Sequence, residues 1–510
     1  MTDWTAGYMA DIAYTYGYYA ELNPQRLRLA FLNAGLVPPE TANACELGFG
    51  QGITVNLHAA AGPADWAGTD FNPAQAAFAQ DMAAASKSGA LLSDEGFAEF
   101  CTRPDLPDFD YIALHGIWSW VSDENRHVIV DFIRRKLRVG GVLYVSYNTQ
   151  PGWAAMAPMR DLLAQHAEVM GTDGAGILSR VESALGFADQ LMAANPLYAR
   201  ANPQVADRLK HIRGQNRQYV AHEYFNRIWQ PMSFAHMSAW MEPAKLSWAC
   251  SANYLDAIDL VNLTAEQQKL LADIPDPTFR QSVRDFCVNQ QFRKDYWVKG
   301  ARRLSPLEQA ERLRAERVML VRPRANVKLK ANGALGEATL QEAVYGPILD
   351  QLAEHKPLSL GELEQALKPG INFAQILQAV MILTATGVLM PVQADDAIRE
   401  ARKRSDRLNS YIIARARGSA DLAHLASPVT GGGVSVGRFP QLFLLARAQG
   451  HKQPADWAQF VWSTISMQGQ RLIKEGKMIE SAEENIAELT AQAEAFQVRT
   501  LPIFKTLKIA

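Results

Sequence analysis

The sequence predicts an α/β protein built on a doubly wound, parallel sheet, with further domains following it. Three observations carry this. Strand-like and helical runs alternate through the first third of the chain, which is the pattern of a parallel sheet with helical crossovers. A glycine cluster, Gly48, Gly50 and Gly52, stands where the first strand gives way to the first helix. The chain has 510 residues, about three domains' worth at roughly 150 residues each.

The first strand is the short apolar run at residues 41–47, and a helix follows over 53–61. A second strand, 66–70, ends in Asp70, and Asn72 is placed to cap a helix that starts near Pro73. Leu91 and Leu92, followed by Asp94, form a weak third strand. Residues 109–114 form a clear fourth, and 123–137 read as an amphipathic helix. A Gly-Gly turn opens the fifth strand, 140–148. From about 151 to 240 the pattern is helical. Strand-like runs return at 246–254 and 294–299 and are assigned to the same sheet, reached after a helical insertion. The expected division is a catalytic domain over 1–305, a winged-helix-like domain over 306–395 and a mostly helical domain over 396–510. Residues 299–330, with ten Lys/Arg against three Glu, read as a linker or solvated face.

Composition narrows the function classes. Hydrophobic residues make up 48% and charged residues 20%, a globular balance. The net charge of −2 removes the usual electrostatic argument for nucleic acid. The helix at 373–386 also lacks any Lys or Arg for phosphate contacts, so nucleic acid is disfavoured as a partner. Four cysteines without a CxxC pair point away from zinc and toward a reducing compartment, and the expected location is the cytoplasm. No metal site is expected. His222-Glu223 lacks the histidine that a zinc-protease helix would place at 226. No apolar stretch approaches the ~20 residues of a membrane span.

The chemistry sits in Glu46-Leu-Gly48-Phe-Gly50-Gln-Gly52. Glycines let the backbone turn tightly and approach a bulky ligand, and the next helix offers free N–H groups. A dinucleotide fingerprint would place its third glycine at 53, where Ile53 stands. The acid two residues before the first glycine suits a ligand with an amino group. Asp70, at the end of the second strand, suits ribose hydroxyls. Asp94 suits an adenine amino group, although a solvated loop acid explains it about as well. The ligand that combines an amino acid, a ribose and an adenine is S-adenosyl-L-methionine. Glu46, Gly48, Gly50, Gly52, Asp70, Asp94, His115 and Tyr18 are therefore the candidate cofactor-binding residues.

The glycine motif, together with FDYIALHGIWSWV (109–121) and SYNTQPGW (146–153), resembles the class I methyltransferases that carry a methyltransferase regulatory domain. Their best-known members are the bacterial protein lysine methyltransferases that modify outer-membrane protein. The resemblance covers the first 300 residues well and the remainder loosely. It implies a seven-stranded Rossmann-like sheet with S-adenosylmethionine over the carboxyl ends of its strands. It also implies a regulatory domain that begins around 222–254, supplies the helical insertion and covers the active site. The N-terminal DIAYTYGYYAELNP (11–24) is only distantly similar to the lysine enzymes.

On the acceptor side the candidate catalytic residues are His115, Tyr147 and Asn148, which follow or end strands four and five. His115 is either a general base or a group that only hydrogen-bonds within the site. Trp118, Trp120 and Trp153 read as packing residues before a cation-holding cage. Tyr14, Tyr16, Tyr18 and Tyr19 are candidates for a lid. The loop after strand four, HGIW, is not the Asn/Asp-Pro-Pro-Tyr of enzymes that methylate base amino groups. The expected reaction is methyl transfer to a protein lysine amine. The alternatives are methylation of a saccharide or other small molecule, and a cofactor-fold scaffold acting through its C-terminal modules. A protein substrate and a homodimer are the expected partners.

Overall fold

A computed structural model describes residues 15–510 apart from 172, 173 and 175. Seven strands form the central sheet: β1 (Asn43–Leu47), β2 (Asp65–Thr69), β3 (Leu91–Ser93), β4 (Phe109–Leu114), β5 (Leu137–Asn148), β6 (Leu246–Ser251) and β7 (Phe292–Lys299). Their order is β3-β2-β1-β4-β5-β7-β6. The first five pair in parallel, with Ala44, Cys45 and Glu46 of β1 lying between Trp66, Ala67 and Gly68 of β2 and Tyr111, Ile112 and Ala113 of β4.

The sheet is not wholly parallel. β7 runs antiparallel to both β5 and β6, between which it is inserted. Its Tyr296, Trp297 and Val298 are buried, so the last strand of the chain's sheet occupies an interior position. β7 also carries an ionic knot. Arg293 bonds Asp285 at 2.5 Å and reaches both oxygens of Asp295 at 2.8 and 3.0 Å, all three residues being buried.

Helices over residues 150–241 connect β5 to β6 and build a core of their own around Trp153, Met159, Leu163, Leu185 and Ile212. The segment 299–330 is more than a linker. It forms the helix Pro306–Ala315 and the strand Arg317–Leu320, whose Val318, Met319 and Leu320 are fully buried. Its ten basic residues include three with acidic partners that a count of charges does not reveal: Arg314 pairs with Glu364, Arg317 with Asp395 and Arg324 with Asp350. The strand joins 358–359 and 389–392 in a three-stranded sheet next to the helices Glu342–Gln351, Leu360–Leu367 and Phe373–Ala385. No helix among the described residues is long and apolar enough to cross a membrane.

The helix that follows the glycine cluster, Ile53–Ala61, is buried along its whole length. Its outer face packs on the C-terminal half through Ile53, Leu57, Ala60 and Ala61. The last carbonyls of a helix have no partner within it. Here Ser405 Oγ donates to the Ala60 carbonyl at 3.1 Å, Gln393 to Ala61 at 2.8 Å, and the Arg404 guanidinium to the adjoining Gly62 at 2.7 Å. A cation at this end also complements the helix dipole.

Candidate active site

The turn after β1 is built from glycine because its backbone is left-handed: φ is +73° at Gly48, +57° at Gly50 and +69° at Gly52. Space forbids a side chain as well. A Cβ at Gly48 would lie 2.3 Å from Ile117 Cδ1, and one at Gly52 would lie 2.4 Å from Ala79 Cβ. The turn is tied to the end of β2. Gly48 N–H donates to the Thr69 carbonyl at 2.8 Å, and Gly50 N–H donates to Asp70 Oδ2 at 2.8 Å. Asp70 Oδ1 accepts from Asn72 N–H at 3.1 Å, so both oxygens of this carboxylate hold backbone.

A cavity of about 500 Å³ opens over the carboxyl ends of β1, β2 and β4. Glu46, Gly48, Gly50, Asp70, Asp94 and His115 all line it. Gly52 stands behind the wall as the residue that opens the helix Ile53–Ala61. Burial, with the charge of Asp70 adding to it, raises the Glu46 carboxyl to about 8. Burial likewise raises Asp70 to about 6 against the pull of its two backbone N–H bonds. Glu46 Oε2 is buried and has no hydrogen-bond partner among the described residues.

His115 follows β4 into the same cavity. The Tyr19 ring stacks on it at 3.5 Å, and its Nδ1 lies 2.8 Å from the Tyr144 hydroxyl. Burial lowers its pKa to about 3, with Glu21 opposing and Lys294 adding to the effect. The imidazole is thus neutral at any pH near 7. Glu21 itself pairs with Lys294 at 2.5 Å. Burial would raise Glu21, but Lys294 and Arg26 hold it down to about 2.

Three expected site residues lie elsewhere. Side chains alternate across a strand, and Tyr147 faces away from the cavity, where its hydroxyl donates to Asp295 Oδ2 at 2.9 Å within an apolar cluster around Trp297 and Phe234. Asn148 is buried at the end of β5. Its N–H donates to Ser119 Oγ and its carbonyl accepts from Met232 N–H, so the returning insertion seals it off. Tyr18 turns toward the C-terminal half, within 3.2 Å of His58 Nε2 and against Gly432 and Gly433. The residue beside it, Tyr19, is the tyrosine at the cavity. Tyr16 packs edge-on against Phe78, and Tyr14 lies outside the described residues. Composition gave no signal for other parts of the wall: Gln75, the segment 95–99, and Ile228 from the insertion. Trp120 does line the cavity, whereas Trp118 is core and Trp153 packs within the insertion.

These residues fit S-adenosylmethionine. The Glu46 oxygen without a partner belongs to a residue of the cavity wall, the turn beside it is glycine at 48 and 50, and the volume lies in the range of small-molecule pockets.

Comparison with known proteins agrees. A family model described as a predicted methyltransferase regulatory domain matches residues 216–299. An uncharacterized protein of the cyanobacterium Synechocystis is 41% identical over 513 residues, spanning 99% of this chain and 100% of that relative. The chain belongs to the class I, S-adenosylmethionine-dependent methyltransferases that carry a regulatory domain. The methyltransferase also shares its fold with PKMT2 from Rickettsia typhi, whose structure in complex with AdoHcy aligns over 97% of this chain and 99% of that one, with a TM-score of 0.69 at 19% identity. An uncharacterized Rickettsia prowazekii protein is 26% identical over 56% of this chain and 51% of its own length. In the methyltransferase, the matched regulatory region runs from the helix Arg217–Tyr224 to the end of β7. It therefore contributes two strands to the catalytic sheet.

Proposed function

We propose that this methyltransferase modifies a lysine amine of a protein, using the cavity over β1, β2 and β4 for the cofactor. The observation that supports the reading most is the shape of the acceptor side. Beyond His115 the wall includes Tyr19 and, from the long helical insertion, Ile228, so an extension larger than a small acceptor would need reaches the cavity. The fold-level likeness to a protein lysine methyltransferase along the whole chain supports the same reading. A cytoplasmic location belongs to the proposal and rests on four free thiols.

In this reading Glu46 receives the amino group of the cofactor's methionine end, Asp70 its ribose hydroxyls and Asp94 its adenine. When bound, S-adenosylmethionine supplies a methyl carbon activated by its sulfonium. The chain then contributes position more than acid–base chemistry. His115, held neutral between Tyr19 and Tyr144, orients groups at the methyl-bearing edge and takes up no proton there.

The test is transfer of labelled methyl from S-adenosylmethionine into a cell lysate by the full-length protein. Label in a protein band, recovered as methyl-lysine by mass spectrometry, bears the reading out. Label confined to the low-molecular-weight fraction sinks the lysine assignment in favour of a small acceptor.

A further inference from the structure

One row of residues crosses the sheet beside the cavity. Ala113 of β4 pairs with Glu46 of β1 on one side and with Tyr144 of β5 on the other. Paired residues of neighbouring strands point to the same face, and that face returns every second residue. Glu46, His115, Tyr144 and Ser146 therefore share one face. Its edge at Glu46 and His115 is wall of the cavity. His115 stands one strand spacing, ~4.8 Å, across from β1 and two residues beyond the row of Glu46.

Tyr144 and Ser146 are fully buried, so each hydroxyl has a hydrogen that needs an acceptor inside the protein. Gly116 N–H donates to Ser146 Oγ at 2.8 Å, the Ser146 and Tyr144 hydroxyls meet, and the Tyr144 hydroxyl lies 2.8 Å from His115 Nδ1. Only one direction places every hydrogen. Ser146 O–H donates to the Tyr144 oxygen, and Tyr144 O–H donates to Nδ1. In the reverse direction the Ser146 hydrogen has no acceptor among the described residues. Nδ1 is therefore a lone pair, and the neutral ring carries its hydrogen on Nε2. Tyr19, stacked at 3.5 Å, fixes the plane in which that N–H points. Nε2 itself has no partner among the described residues. No lysine or arginine is among the described residues that line the cavity, so a carboxylate there is held by neutral donors.

We infer that Tyr144, backed by Ser146, is a positioning residue that fixes His115 as its Nε2–H tautomer, and that this N–H holds the carboxylate of the cofactor's methionine end. The inference rests on the placement of the cofactor's amino group at Glu46 and is independent of the acceptor. An α-amino acid carries its ammonium and its carboxylate on one carbon. With the first at Glu46, the second reaches toward the next row of the sheet, where His115 stands. The lone pair that a general base would need is turned into the wall, onto Tyr144. His115 thus offers the cavity a hydrogen and no lone pair. The opposite tautomer would set a lone pair against the carboxylate and repel it.

Calorimetric titration of the full-length protein compares S-adenosylhomocysteine with the analogue that keeps its amino group and lacks only its carboxylate. The wild type is expected to bind the first about tenfold more tightly. In Tyr144→Phe that ratio is expected to fall to about twofold, with the analogue bound as tightly as by the wild type. Equal weakening of both ligands in Tyr144→Phe would make Tyr144 a packing residue and overturn the inference. Equal affinity of the wild type for the two ligands overturns it as well, while leaving the cofactor site in place. A wild type that binds neither ligand overturns both. Should Tyr144→Phe fail to fold, the long-range nitrogen–proton spectrum of His115 in the wild type decides. The Nε2–H pattern bears the inference out, and the Nδ1–H pattern overturns it.

Discussion

The carboxylate of Asp70 holds the N–H of Gly50 at 2.8 Å, so the acid of the second strand fastens the glycine turn of the first. Its other oxygen fastens Asn72, which in turn caps the helix Pro73–Ser86 through Ala74 N–H. One side chain thus sets the shape of the cavity floor before any ligand arrives.

Asp70→Ala removes both ties at once. S-adenosylhomocysteine affinity is expected to fall by about 10–100-fold, equivalent to roughly 1.4–2.7 kcal/mol, as read by calorimetric titration. Unaltered binding would show that the turn keeps its shape without the carboxylate.

The Glu46 carboxyl gives a pH signature. Folded, it keeps its proton up to about pH 8, whereas in the unfolded chain it ionises near 4.3. Between those values unfolding releases a proton, so this group's contribution to stability is full below about pH 4 and is lost as pH rises to about 8. Glu46→Gln is expected to flatten that decline. It should stabilise the ligand-free protein at pH 8 by on the order of 2–4 kcal/mol relative to wild type, measured by thermal unfolding across pH 5–8.

His115 is expected to leave no mark on the pH–rate profile, because its imidazole is neutral throughout the working range. His115→Phe keeps a ring for Tyr19 to stack on and should lower the rate by roughly tenfold without changing the profile's shape between pH 6 and 9. Loss of a limb near pH 6–7 in this variant would show that His115 does exchange a proton.

The Arg293 knot makes the antiparallel strand sensitive to charge removal. Arg293→Met leaves Asp285 and Asp295 buried without their cation and is expected to cost about 3–5 kcal/mol. Adding Asp295→Asn should recover part of the loss, and thermal midpoints of the single and double variants measure it.

The parts of the site that follow from strand ends were legible in the sequence. Glu46, Gly48, Gly50 and Asp70 lie where short strands stop, and a parallel sheet brings such stops to one edge. Register within β5 was legible too, in principle. Tyr144 bonds His115 while Tyr147, an odd number of residues on, must face the other way. Tyr19 was among four tyrosines read as a candidate lid, yet nothing in the sequence singled it out from Tyr18, and Lys294 was not legible, because they reach His115 and Glu21 through packing between distant segments. The basic run 299–330 is in part the solvated face it reads as, with Arg302, Arg303, Arg312 and Arg322 exposed; what the sequence did not show is that Arg314 and Arg317 meet Glu364 and Asp395.

The helix Ile53–Ala61 begins at the glycine turn and ends on Ser405, Gln393 and Arg404. Its two ends therefore answer to different masters, a small ligand at one and another part of the chain at the other. Any event that displaces those three side chains changes the free energy of the turn, and linkage makes the effect mutual. Were a contact on the C-terminal half to displace them, occupancy of the cavity would alter the strength of that contact by the same factor.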